Sequence, residues 1–125
     1  MTAPAGLPTR VLVVGAGTMG AGIAQVFAQA GAEVLLCDAS PAAVPRALAT
    51  IGESLSRFVA RGTIERSDAD RTTARIQEAP LERGAEAALI VEAIVEDVEA
   101  KRALFSRLDA IGTPDVVLAS NTSSV

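Results

Sequence analysis

Residues 10–20, RVLVVGAGTMG, carry an unbroken Val/Leu run straight into a cluster of three glycines, and few folds accommodate that junction. An apolar run without polar alternation suits a strand buried on both faces of a parallel sheet. Gly15, Gly17 and Gly20 are spaced G-x-G-x-x-G, and a second apolar run, EVLLCD, ends in Asp38, 18 residues after Gly20. Between the runs Met19, Ile23, Val26, Phe27 and Ala30 recur at helical spacing, and Gly31 stands where a helix would be capped. Strand, glycine turn, helix and strand in this order close by handedness into a parallel pair.

The remaining pattern extends that unit. Ser40 and Pro41 are predicted as N-cap and first turn of a long helix with Val44, Leu48, Ile51, Leu55 and Phe58 on one stripe and Gly62 at its end. Pro45 removes a backbone donor one turn inside, so the first turn is either distorted or begins later. A second helix over 67–75, a short strand over 76–80 and a brief helical segment over 81–87 follow. ALIVEAIV (88–95) reads as a buried strand, 97–110 as a helix carrying Val98, Phe105 and Leu108, and DVVLAS (115–120) as a further strand. The expected fold is α/β: a Rossmann-type doubly wound parallel sheet with a helical-hairpin insertion after the second strand, incomplete at its C-terminal side. It occupies residues 10–125 behind a loose Ala/Pro leader, 1–9.

Composition narrows the partners. Half of the 125 residues are apolar, yet there is no Trp or Tyr and only three Phe, so the core must be Ala, Val, Leu and Ile. A net charge of -4 offers no bulk attraction to nucleic acid. No apolar run approaches the roughly 18 residues that span a bilayer. The lone Cys37 cannot form an internal disulfide and suits a small core hydrophobe in a reducing compartment, so a cytoplasmic location is expected. No residue patterning suggests a metal site. The chain contains no histidine, so no imidazole serves as its catalytic base.

The glycine motif in this context has a definite chemistry. Gly15 permits a tight turn, Gly17 leaves bare backbone for a pyrophosphate, and Gly20 lets helix and strand approach. With Thr18 and Met19 they open the helix whose N-terminal N–H groups face the phosphates. Asp38 is placed for the hydroxyls of an adenosine ribose, and no Arg or Lys follows at 39–45 to receive a 2′-phosphate, which favours NAD over NADP. An ordinary glycine turn with a capping aspartate is the alternative.

VEAIVEDVEAKRALF (91–105) and ASNTSSV (119–125), together with GAGTMGAGIAQVFAQAG (15–31), closely resemble the NAD-binding domain of the L-3-hydroxyacyl-CoA dehydrogenases, including the 3-hydroxybutyryl-CoA enzymes. The resemblance covers nearly the whole chain from Arg10. It implies that Asp38 binds ribose, that Glu96 and Lys101 contact NAD, and that Ser123 contacts both nicotinamide and substrate, orienting the latter. It also implies that Ser54 and Arg61 hold coenzyme A, Arg61 standing where the family often has lysine. The general base implied is a histidine paired with a glutamate, beyond the SNTSS serine and outside this chain. The expectation is therefore a coenzyme-binding fragment with little or no turnover alone, whose parent is a homodimer through a C-terminal helical domain.

Two observations independent of the resemblance bear on it. Lys101 is the only lysine among eleven basic residues, which suits either a required ammonium or a solvated helix residue pairing with Asp97. Over 40–75, Arg46, Arg57, Arg61, Arg66, Arg71 and Arg75 outnumber four acids, which suits either an anionic CoA tail or a salt-bridged hairpin. The alternatives left open are a non-catalytic NAD-binding or structural module, and a dehydrogenase acting on a 3-hydroxyacyl carrier protein or a sugar acid.

Overall fold

The computed structural model describes residues 9–94, 98–111 and 116–118. Five strands, β1 (Arg10–Val14), β2 (Glu33–Cys37), β3 (Ile76–Glu78), β4 (Leu89–Glu92) and β5 (Val116–Leu118), form one sheet in the order β3-β2-β1-β4-β5. Every neighbouring pair is parallel. The helices are α1 (Thr18–Gln29), α2 (Ala43–Ala60), α3 (Arg66–Ala74) and α4 (Val98–Ile111), with a 3-10 turn at Leu81–Glu86. The doubly wound order and the helical hairpin after β2 are thus as the sequence predicts. The leader falls almost wholly on residues 1–8, outside the described residues.

Strand alternation divides the core into two layers. Val11, Val13, Val34 and Leu36 face α1, α2 and α3, where Ala24, Ile51, Leu55 and Ala69 meet them. Leu12, Val14, Leu35, Cys37 and Ile90 face the other side, against Leu81 and Leu104. Burying one such Val or Leu contributes about 1.5–3 kcal/mol, and β1, central in the sheet, has its four apolar residues in both layers.

The face that α1 turns to the sheet differs from the predicted stripe. Its buried residues are Gly20, Ala21, Ala24 and Ala28. Ile23 and Phe27 only flank the core, and Val26 is 65% exposed. The physical reason lies at the start of the helix: a Cβ on Gly20 would stand 1.7 Å from the Gly15 carbonyl oxygen. A helix held that close to the strand can present only small side chains there, and larger ones rotate to its flanks.

In α2 the predicted Val44, Ile51 and Leu55 are buried, with Leu48 and Phe58 half-buried beside them. Its start is later than Ser40: Ala42 is the N-cap, and the Ala43 N–H instead closes a turn onto the Ser40 carbonyl at 3.1 Å. Pro45 thereby becomes the third helical residue, where an N–H has no intrahelical acceptor to lose. Both α1 and α2 end in Schellman motifs on glycines with positive φ, Gly31 at 106° and Gly62 at 76°. In the second, Gly62 and Thr63 donate to Val59 and Phe58 at 3.0 Å each.

Two glycines of α1, two residues apart, respond oppositely to the same substitution. Gly20→Ala has no space for its methyl group and is expected to cost more than 3 kcal/mol or prevent folding. Gly22→Ala, in the same helix with open space around it, is expected to stabilise by about 0.5–1 kcal/mol. Thermal melts of both variants check the pair; equal midpoints would contradict the packing described.

Candidate functional site

Register aligns the carboxyl ends of the strands. Val14 pairs with Cys37 on one side and Glu92 on the other, and Glu92 pairs with Leu118. The next residues, Gly15, Asp38 and Ala93, form a rim where the crossovers diverge, which is where doubly wound sheets take ligands. Two further hydrogen bonds secure it: the Gly15 N–H donates to Cys37 O at 2.8 Å, and the Ala93 N–H to Val14 O at 2.7 Å.

Within this rim the three motif glycines do different things. Gly15 has φ +110°, and a Cβ there would lie 2.7 Å from the Ala93 carbonyl group. Gly17 is the N-cap of α1, and a Cβ on it would meet nothing within 4 Å. Gly20 lies buried beneath the loop and supports it. No side chain caps α1, and its first turn contains no acid. The leading N–H groups at Thr18, Met19 and Gly20 therefore have no intrahelical acceptor, and the positive end of the helix dipole is uncompensated. This arrangement fits a phosphate.

Asp38 couples the loop to the end of β2. Its Oδ2 accepts from the Ala16 N–H at 2.8 Å, and Oδ1 accepts from the Ser40 N–H at 2.8 Å. An ionised carboxylate has roughly four acceptor sites, so each oxygen retains capacity for a sugar hydroxyl. The half-buried Asp38 lines two cavities at once. One, about 460 Å³, lies between Gly15–Thr18, Arg46 and Thr50 of α2, and Ala93. The other, about 710 Å³, lies on the α4 side among Val14, Cys37, Leu81, Ile94 and Leu104, with the Glu82–Arg107 ion pair also in its wall. Its apolar lining suits a flat heterocycle and its polar wall a sugar.

The remaining sequence candidates are distributed unevenly. Ser54 accepts from Gln25 Nε2 at 3.1 Å, which ties α2 to α1, and Arg61 is the exposed C-cap of α2. Seven residues apart, they share a helix face about two turns in length. Neither lines the two cavities just described. Met19 is the second residue of α1 and lines neither cavity. Lys101 is the fourth residue of α4. Glu96 and Ser123 lie outside the described residues.

One residue at the rim has no role in the sequence reading above. Glu92 is fully buried at the end of β4, and its Oε2 accepts from the Ile94 N–H at 2.7 Å, shaping the chain's exit beside Gly15. The signal was present: it is the sole charge in the run ALIVEAIV. Among the described residues no His, Cys, Asp and Glu group could hold a metal, and no helix is long and apolar enough to cross a membrane.

Comparison with known proteins agrees with this geometry. The family described as 3-hydroxyacyl-CoA dehydrogenase, NAD binding domain, matches residues 10–125. The chain is 42% identical over 116 residues to 3-hydroxyadipyl-CoA dehydrogenase of Escherichia coli K12, covering 92% of this chain and 24% of that protein. It is also 42% identical over 118 residues to 3-hydroxybutyryl-CoA dehydrogenase of Mycobacterium tuberculosis H37Rv, covering 93% and 41%. Among solved structures, 3-hydroxybutyryl-CoA dehydrogenase of E. coli aligns with a TM-score of 0.85 at 40% identity, covering 94% of this chain and 25% of that one. The (S)-3-hydroxybutyryl-CoA dehydrogenase of Ralstonia eutropha gives 0.85 at 35% identity, covering 94% and 42%. The chain thus spans well under half the length of these relatives.

Cys37, in the wall of the larger cavity, gives a pH test of the site. Burial, and then the neighbouring Asp38 charge, push its thiol up to about 11, against a smaller lowering by Arg107. The folded protein therefore holds this proton more tightly than the unfolded chain, and stability is expected to fall as pH rises from about 8.5 through the folded value. Alkylation at pH 8 is expected to be at least tenfold slower in the native protein than in urea, because the reactive thiolate is scarce. Equal rates would contradict the buried placement.

Proposed function

Because the chain belongs to the 3-hydroxyacyl-CoA dehydrogenase family, as its NAD-binding domain, we propose that it is the coenzyme-holding part of an enzyme that oxidises L-3-hydroxyacyl-CoA to 3-oxoacyl-CoA. The observation that carries this reading is Asp38 standing in the wall shared by two cavities, beside an α1 N-terminus that no side chain caps. NAD, when bound, supplies the hydride acceptor. The chain's own residues bind and orient. The α1 N–H groups and the bare backbone at Gly17 receive the pyrophosphate, Asp38 the ribose, and the apolar cavity beside Leu104 the adenine.

In this proposal Glu96 and Lys101 complete the coenzyme contacts, and Ser123 holds nicotinamide and substrate in register. Ser54 and Arg61 take the CoA moiety, on a stretch of α2 outside the dinucleotide cavities. The reaction would move a hydride from C3 to the nicotinamide that NAD supplies and the hydroxyl proton to a general base. With no histidine among these 125 residues, we place that base in the part of the relatives' length that this chain does not span. Residues 10–125 form the coenzyme domain of a cytoplasmic homodimer, with an acyl carrier protein as the other carrier to be tested.

Without Trp or Tyr, the protein adds little fluorescence to an NADH titration. Saturable binding is expected, with NADPH weaker because a 2′-phosphate meets the Asp38 carboxylate. Asp38→Ala is expected to weaken NADH at least tenfold and also to lower the melting temperature, since it releases the Ala16 and Ser40 N–H groups. No saturable signal, or a preference for NADPH, would overturn the coenzyme assignment. Formation of 3-oxoacyl-CoA by a protein that joins this domain to a base-bearing segment tests the reaction itself.

A further inference from the structure

The sequence offers no cation over 39–45 to meet a phosphate, yet folding brings one from the next position. Since α2 starts at Ala43, Arg46 is its fourth residue, one turn in and on the same side as Ala43, Ala47 and Thr50. These four residues form the α2 wall of the cavity whose opposite wall is Gly15–Thr18. The exposed Arg46 therefore lines the same cavity as the glycine loop, and the lining contains one other charged residue, Asp38.

Its lack of protein partners separates it from most arginines of the chain. Arg10 pairs with Glu33 and Glu86, Arg66 with Asp70, Arg71 with Asp68, Arg83 with Glu86 and Arg107 with Glu82. Arg75 donates to the Ala28 carbonyl at 2.9 Å. Among the described residues Arg46 has no such bond. Asp38, the one carboxylate in the same cavity, is engaged with the Ala16 and Ser40 N–H groups. An unpaired guanidinium across a cavity from an uncapped helix N-terminus completes a site with donors on both walls.

We propose that Arg46 is a phosphate-contacting residue of the dinucleotide site, positioned by α2 to close over the anion that the glycine loop receives. This rests on the coenzyme assignment above. A guanidinium there can serve either the pyrophosphate common to both coenzymes or a 2′-phosphate on the ribose beside Asp38. The first role strengthens both coenzymes alike, and the second determines how much NADPH the site tolerates. Either contact is charge-assisted and partly solvated, so it weakens with ionic strength.

The test is titration of NADH and NADPH, at low and high salt, into the wild-type protein, Arg46→Gln and a charge-matched control, Arg66→Gln. Arg66 lies on α3, outside this cavity. Arg46→Gln is expected to weaken coenzyme binding about fivefold or more and to flatten its salt dependence, with the control near wild type. Thermal melts verify that each variant is folded. An equal loss for NADH and NADPH assigns the contact to the pyrophosphate; a loss confined to NADPH assigns it to the 2′-phosphate. Wild-type binding with Arg46→Gln unchanged, or no weaker than Arg66→Gln, overturns the role of Arg46 alone. Absence of saturable binding in the wild type overturns the coenzyme assignment, and the role of Arg46 with it.

Discussion

The contact on which the rest of the site depends is the one between Gly20 and the Gly15 carbonyl, where no side chain of any size can enter. It holds the first turn of α1 against the end of β1. The same approach forces α1 to meet the sheet through Ala21, Ala24 and Ala28. Because that helix start carries no side-chain cap, its N–H groups stay available to a ligand. Packing and binding are thus set by one close approach, and the small-residue bias of the chain is its physical expression.

Asp38 links this junction to the neighbouring strand. By accepting from Ala16 and Ser40, its carboxylate ties the glycine loop to the turn leading into α2. A residue that reads from sequence as a ribose ligand is therefore also a structural clamp. Glu92 acts comparably at the exit from β4, accepting from Ile94 beside the backbone that Gly15 approaches. The rim of the sheet is held by two carboxylates, one on either side of β1. Of the two, Asp38 also lines the cavity that holds Arg46, and a cation there offsets the carboxylate's negative potential.

The local sequence contained much of this. Uninterrupted apolar runs marked the strands, and glycine positions marked the α1 and α2 ends, because strand burial and left-handed caps impose strong local demands. The three motif glycines were legible for the same reason. The core face of α1 was not: hydrophobicity favoured Val26 and Met19, whereas distance to β1 favoured alanines. The start of α2 is not legible locally because Ser40-Pro41 is a good local cap, while the turn closing on the Ser40 carbonyl moves the helix two residues on.

What the sequence by itself determined is the class of fold, the glycine loop and the acid that follows the second strand, since each depends on neighbouring residues or a fixed spacing. Its family-like motifs added the coenzyme. Only the tertiary structure decided which side chains share a cavity. Asp38 and Arg46 are close in the chain, but Gly17 and Leu104 reach the surroundings of Asp38 from α1 and α4 through the parallel register of β1, β2 and β4. Such a meeting of distant residues follows from strand alignment and helix packing, which no local pattern encodes.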